Sequence, residues 1–459
     1  MPAITRSIAM RHFPQKSALG LALGLALAAS PASAIDLLQS YRLALSQDAT
    51  YQAVRADTDA RREAIPLARA QLLPNISANL QRSKNQTDQR SVNSQSRSTN
   101  EYEYFSSNYA LTLRQPIYRK YNFALYQQAH SDVASAEATL DKSLQELVVR
   151  TASAYFEALM AKQQHALTLA QKEAYALQVE VAKLALAKGQ GTVTDIDDAQ
   201  SRYDITVAQE LETSQNIGFT RRQLESIVNQ PINDLADLQP DRLELSPPLP
   251  ANVEEWIARG EEINPELRAL RASIESATQE LEKARAGHFP TIDLIVQRSQ
   301  SQSENNVSIN SQYLTSMVGL QASVPLFAGG YTVSQMRQAR SNIEKFQQQY
   351  EARRREVAQQ IRKEFQSIAE GIAKIGAQQQ AERSAQRALF SNQKGIAAGT
   401  RSRVDVLNAQ QQLINVKRDL ALARFQYILA RVRLQGLVSS LNEQEIRTIN
   451  AWLDSTSSG

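Results

Sequence analysis

Two stretches of this chain, GQGTVTDIDDAQSRY at 189–203 and GTRSRVDVLNAQQQL at 399–413, match at a constant offset of 210 residues. Gly189, Asp195, Ala199 and Gln200 fall on Gly399, Asp405, Ala409 and Gln410, and Ile196 falls on Val406. The match extends well beyond these words. Residues 48–81 align without a gap on 264–297, so that Ala53, Arg55, Ala56, Pro74, Ile76 and Gln81 recur as Ala269, Arg271, Ala272, Pro290, Ile292 and Gln297. A further match sets YALTLRQPIY beside VGLQASVPLF, with Pro116 on Pro325. Conserved order at nearly constant spacing means an internal duplication, which restricts the fold to two copies of one plan.

Within each half the hydrophobic period changes twice. Residues 36–72 read as helix, and after Pro74 the alternation of Ile76, Ala78 and Leu80 with polar neighbours predicts a strand. The polar run RSKNQTDQRSVNSQSRSTN reads as a loop, and Phe105, Ser107, Tyr109, Leu111 and Leu113 then alternate until Pro116. The first half thus holds a strand hairpin at 75–115. The second holds one at 291–324, around the loop SQSQSENNVSINSQ. Each strand is expected to run about ten residues.

The remainder of each half is helical. Residues 120–188 and 331–398 contain no proline, and glycine only at Gly371, Gly376 and Gly395. At ~1.5 Å per residue each would be about 100 Å long. Apolar residues recur in a 3/4 rhythm, as in Leu140, Leu144, Leu147, Thr151, Tyr155 and Leu159 or Ile361, Phe365, Ile368, Ile372 and Ile375, which is a coiled-coil seam. The returning helices, 195–230 and 405–438, are about half that length by the same rise. Stacked end to end with 36–72 and 265–288, they would match the long ones. The chain therefore divides into a first repeat at 35–230, a linker at 231–263 lying near mid-height, a second repeat at 264–438 and a C-terminal segment at 439–459, also at mid-height. Both hairpin tips, 189–195 and 399–405, fall at one end and both strand pairs at the other.

The N-terminus stands apart from this plan. Arg6, Arg11 and Lys16 precede the apolar run ALGLALGLALAAS and then Ala32-Ser33-Ala34, the pattern of a secretory signal peptide over residues 1–34. Its apolar core is far shorter than the ~20 residues that span a bilayer. Without it the chain has 48 basic against 47 acidic residues, so its basicity implies no nucleic-acid partner. Cysteine is absent, which excludes thiol nucleophiles, zinc thiolates and a lipidated N-terminal cysteine. After the signal only His130, His165 and His288 remain, and neither a metalloprotease motif nor a phosphate-binding glycine loop occurs. No enzyme is indicated, and no cofactor or metal site.

Four strands cannot close a barrel, since barrels begin at about eight, and an open sheet with an apolar face leaves its edges unpaired. Closure by oligomerisation is expected. An exported barrel with one apolar and one polar face suits an outer membrane, where ~9–11 residues per strand suffice. Tyr102, Tyr104 and Phe105 at the loop end, and Tyr118, Tyr121, Phe327 and Tyr331 at the helical end, read as aromatic girdles; ordinary packing at strand ends is the alternative.

The duplicated half, the proline at each strand boundary, VPLFAGG at 324–330, AGTRSRVDVLNAQ at 398–410 and LNEQEIRTINAWL at 441–453 resemble the TolC-type outer-membrane channel-tunnel family over essentially all of 35–455. The resemblance implies a mainly α chain with a small β part, forming as a homotrimer a 12-stranded outer-membrane barrel continuous with a helical barrel across the periplasm. Proteins or small toxic compounds would leave through it, driven by an inner-membrane transporter of ABC or RND type and a periplasmic adaptor, with outer-membrane lipid around the barrel. It also implies that Arg401 ties to an acid on the neighbouring tip, here Asp195, that Asp405 rings the pore, and that the adaptor docks near Gly189, Gly399 and Thr400. The second pore ring falls on Asn408, an amide where the family has an acid, which bears on cation selectivity.

Physical argument reaches Asp405 separately. Three copies meeting on an axis would repel one another, raise their pKa values and attract cations, divalent ones included. Helix N-capping is the alternative for both Asp405 and Asp195. Gly189 and Gly399 read as helix-ending turn residues. The rival reading of the whole chain is a periplasmic coiled-coil adaptor or structural protein, which accounts for the heptads but not for the alternating strands.

Overall fold

The computed structural model describes residues 34–93 and 96–454. The signal peptide expected at 1–34 lies, but for Ala34, outside the described residues, as do residues 455–459 of the C-terminal segment. The first repeat begins with α1 (Leu37–Gln47), α2 (Ala49–Arg62) and α3 (Ala64–Ala70). These replace the single helix expected at 36–72. Asp48, extended at ψ 112°, ends α1 and caps α2 by accepting from the Tyr51 N–H at 2.7 Å. The second break, at Glu63, precedes Pro66, which has no N–H for the Arg62 carbonyl one turn earlier.

Strands β1 (Asn75–Asn93) and β2 (Ser96–Arg119) follow, then α4 (Lys120–Ala187) and α5 (Val193–Val228). The linker contains β3 (Asp237–Leu238) and α6 (Val253–Ile263). The second repeat runs through α7 (Pro265–Arg285), β4 (Thr291–Gln302), β5 (Gln312–Ser323), α8 (Tyr331–Ala397) and α9 (Arg403–Leu437). The C-terminal segment supplies α10 (Glu443–Asn450) and β6 (Leu453–Asp454). Duplication shows in detail: Asn264 caps α7 as Asp48 caps α2, at the aligned position.

Strands β1, β2, β4 and β5 form one antiparallel sheet in the order β1-β2-β4-β5. The first hairpin is far longer than expected, because β1 has 19 residues and β2 has 24. The Ser/Asn/Gln-rich run is strand, not loop; polar residues on both faces mark a ribbon wetted on both sides, and composition alone could not separate the two. Nor does Pro116 end β2. The strand passes through it with a register shift between Pro116 and Tyr118, the kind of irregularity at which a strand tolerates proline. The second hairpin, with strands of 12 residues each, lies as expected.

Rows across the sheet separate two faces. Ile76, Leu113, Val296 and Val318 share one row, and Leu294 and Leu320 another on the same side. On the opposite face β1 presents only Asn, Ser, Gln and Thr from Asn75 to Gln89. The apolar side of β5 from Leu314 to Ala322 spans about 20 Å of height at ~3.3 Å per residue and ~40° tilt.

Each long helix packs against shorter ones laid end to end: α4 against α5 and α1 to α3, α8 against α9 and α7, with α4 also touching α7 and α9. The predicted seam residues Leu147, Tyr155, Leu159, Ile361, Ile368 and Ile375 are buried and belong to one core. That core is at mid-height, where the linker closes on the joins. The Tyr155 hydroxyl donates to the Ala236 carbonyl at 2.9 Å, Lys162 bridges Asp234 and Asp237, and β3 pairs with β6. Among the described residues no helix is long and apolar enough to cross a membrane.

Candidate functional site

The echoed words form the two tips, and they fold bond for bond alike. Gly189 and Gly399 take left-handed φ of 69° and 70°, a conformation that side chains with a Cβ rarely adopt. In the first tip Gln190 N–H donates to the Ala185 carbonyl and Gly189 N–H to Leu186; in the second Thr400 N–H donates to Gly395 and Gly399 N–H to Ile396. Both are helix-ending motifs that satisfy the last carbonyls of α4 and α8.

The next helices begin with reciprocal caps. Thr192 and Ser402 occupy the N-cap positions, and Asp195 and Asp405 are the third residues of α5 and α9. This corrects the reading of the aspartates as caps themselves. Asp405 accepts from the Ser402 N–H at 2.9 Å while its own N–H donates to the Ser402 hydroxyl at 3.2 Å. Asp195 and Thr192 repeat both bonds at the same distances. Sequence reasoning placed the acid and missed the hydroxyl three residues earlier, although S/T-x-x-D is a legible capping signal.

The Ser402 backbone N–H, then its hydroxyl, hold the Asp405 carboxyl below the usual carboxylate range, with Arg401 adding to the effect. Within one chain this is opposite to the rise expected from three converging copies. A depressed folded pKa means that the box contributes stability above the ordinary carboxylate pKa and loses it as pH falls through the lowered value. Ser402→Ala is expected to cost about 0.5–2 kcal/mol at the start of α9 and to move Asp405 upward. Faster hydrogen exchange at the amides of 403–406 would show it; unchanged exchange would contradict it.

Arg401 does not meet Asp195 within the chain. Its stem lies against Gly395, where an added Cβ would come within 2.6 Å of the Arg401 Cγ. Asn408 instead accepts from Arg202 of α5, Nη2 to Oδ1 at 2.8 Å. One turn on, Gln411 Oε1 accepts from Gln171 at 2.7 Å and from the Tyr175 hydroxyl at 2.8 Å, both on α4. Tyr175 is 1% exposed and packs with Val179, Ala199, Leu407 and Tyr203 in a small cluster separate from the mid-height core. These ties fasten the start of α9 to the first hairpin. Tyr175 and Gln171 look in sequence like ordinary seam positions; the signal for Arg202 was Asn408, an amide in need of a donor.

At the sheet end the aromatic group divides. Phe105 lies on the face that continues the apolar rows, whereas Tyr102 and Tyr104, paired with Thr87 and Asn85, lie on the uncharged face and beyond the last residue of β4. A girdle role for these two tyrosines is not supported by the side they take. At the helical end Tyr118 pairs with Ile292 on the apolar side, and Tyr121, Phe327 and Tyr331 are exposed.

The chain matches the outer membrane efflux protein family over residues 40–230 and 256–440. It is 32% identical to the proteases secretion protein PrtF of Dickeya chrysanthemi, over 96% of each chain. It is 31% identical to the outer membrane protein TolC of Escherichia coli, over 95% of this chain and 89% of that one. Among solved structures, the outer membrane protein VceC of Vibrio cholerae superposes with a TM-score of 0.76 at 18% identity, over 88% of this chain and 96% of that one.

Proposed function

The chain belongs to the outer membrane efflux protein family and is an outer-membrane exit duct with a long periplasmic helical extension, and from that premise we propose how its residues build and gate the duct. Three copies close the sheet. The observation that supports this most is the sheet itself, with four strands, one apolar face, one almost uncharged polar face and free edges at β1 and β5. Pairing β1 with the β5 of the next copy satisfies both edges and gives twelve strands, which is within the range of barrels that stand in an outer membrane. The apolar rows then meet lipid, with Phe105 at the outer rim and Tyr118, Tyr121, Phe327 and Tyr331 at headgroup level on the periplasmic rim.

The Asn/Ser/Gln/Thr face becomes the lumen. Such a lining hydrogen-bonds transiently and carries few fixed charges, Arg114 and Arg119 being tied to Asp293 at its periplasmic end, which suits passage of an extended polypeptide. A relative named for protease secretion is consistent with protein cargo. Cargo is handed over by an inner-membrane transporter of ABC or RND type through a periplasmic adaptor, which grips the tips around Gly189, Gly399 and Thr400.

The gate is the ring of tips. Asp405 from three copies lines its narrowest point, and Arg401 reaches the Asp195 of the neighbouring copy. Asn408 brings no negative charge to the second ring and its partner Arg202 is a cation, so cation preference rests on Asp405. Asp405→Ala is therefore expected to abolish most of the cation preference and the block by divalent ions. The reversal potential in a salt gradient measures this directly, and a potential equal to the wild type would count against Asp405 as the selectivity residue.

A further inference from the structure

The β1–β2 hairpin outlasts the sheet to which it belongs. Strand β4 pairs with β2 no further than Gln302 opposite Ser107, whereas β1 and β2 stay paired as far as Asn93 opposite Ser96. Beyond Ser107 the two strands continue as a ribbon without a β4 neighbour. Every charged residue between 82 and 90 and between 99 and 107 lies on one face of it: Arg82, Lys84, Asp88, Arg90, Glu101 and Glu103. That face continues the apolar rows of the sheet.

Charge is ordered along this face. Outward from Ile76, Ala78 and Leu80, the first charged positions of β1 are Arg82 and Lys84, and the acids Glu103, Asp88 and Glu101 come after them. Leu80 is 73% exposed on the apolar side. The Arg82 guanidinium lies 5.4 Å from the centre of the Phe105 ring and, among the described residues, pairs with no acid. Lys84 meets Glu103 at 3.3 Å, with both side chains more than half exposed. A basic row thus sits between an apolar band and an acidic row.

We propose that this row, Arg82 with Lys84, binds the phosphorylated headgroups of lipids in the outer leaflet of the membrane. Resting on the membrane reading above, the assignment names the lipid chemistry that the rim selects. A guanidinium laid over an aromatic ring at the edge of an apolar band is held where headgroups lie, and its fork matches two phosphate oxygens. Leu80 and Tyr109, paired in the row just inside Arg82, meet the acyl region of the same molecule, a contact that free phosphate cannot make. Glu103, Asp88 and Glu101, next outward, repel phosphate and separate this row from Arg90 beyond them, which favours the headgroup at the height of Arg82 and Lys84.

The test uses the full-length protein reconstituted in phosphatidylcholine vesicles that hold lipid A either with its phosphates or dephosphorylated, with the retained lipid measured by native mass spectrometry. Wild type is expected to retain the phosphorylated form preferentially, and Arg82→Gln with Lys84→Gln to lower that preference about tenfold, the loss of one to two charge-assisted bonds. Arg82→Lys should restore part of it. Single-channel currents run in parallel. Normal currents with equal retention of both lipids by the wild type would overturn the headgroup site and leave the duct standing. Displacement of the lipid by millimolar inorganic phosphate would show a free-anion site and overturn the lipid assignment. Absence of currents from the wild type would overturn the membrane reading and the site together.

Discussion

Replacing Gln411 and Arg202 together by alanine shifts the closed duct toward its open state by roughly one to three decades. Three hydrogen bonds fasten the start of α9 to the first hairpin: Gln171 and Tyr175 to Gln411, and Arg202 to Asn408. At about 0.5–1.5 kcal/mol net for each, their sum is about 1.5–4.5 kcal/mol, and each 1.4 kcal/mol is tenfold in an equilibrium. Asp405 sits at the start of the same helix, so whatever frees that helix moves the constriction. Tyr175 adds to the effect, because its side chain is buried and its hydroxyl loses its acceptor when Gln411 is replaced. Open probability and conductance in a planar bilayer measure the shift, with helicity by circular dichroism as the control for folding. Unchanged open probability in a fully helical protein would remove these ties from the gate.

Tyr427→Ala is expected to cost about 3–5 kcal/mol of stability, and Tyr427→Phe about 1–3 kcal/mol. Tyr427 of α9 is fully buried in the mid-height core. Its hydroxyl accepts from the Ser246 N–H at 3.1 Å and faces the Glu244 and Ser246 carbonyls at the same distance, pinning the linker to the helices. Gly371 of α8 leaves room for the ring, since a Cβ there would come within 3.3 Å of the Tyr427 Cβ. The phenylalanine variant keeps the packing and leaves buried backbone groups without a partner, whereas alanine adds a cavity. Denaturant unfolding of the detergent-solubilised protein separates the two. A loss below about 1 kcal/mol for the alanine variant would mean that the linker is not anchored there.

What the sequence made legible follows from the range over which each signal acts. Long helices declare themselves through many turns of one rhythm, so α4, α5, α8 and α9 begin and end within two or three residues of expectation. The tips were legible because duplication wrote them twice, and glycine at a left-handed φ has few substitutes. Breaks inside a helical pattern are harder to see: Asp48 both ends one helix and starts another, and a single residue leaves no period to detect. The ribbon from Arg82 to Asn93 was read as a loop because it is polar on both faces, yet its charges at 82, 84, 88 and 90 all fall on alternate positions, the strand period. Period held the answer where composition did not. The faces of Tyr102 and Tyr104 follow from the same alternation, and grouping them with Phe105 ignored a difference of one residue that reverses the side.

At the gate the split is between residue identity and partnership. Asp405 and Asp195 were found from their echo, whereas their capping boxes were missed, although the hydroxyl three positions earlier is the signal. Arg202, Gln171 and Tyr175 meet α9 across more than 200 residues of chain, a contact that no local pattern encodes.

Single-channel current through the purified protein, residues 35–459, in a planar bilayer, with and without millimolar divalent cations on the side of the tips, tests the central claim most directly. The account predicts small, cation-preferring steps that divalent ions block from that side. A folded, helical trimer that never inserts would contradict it and leave a periplasmic coiled-coil protein in its place.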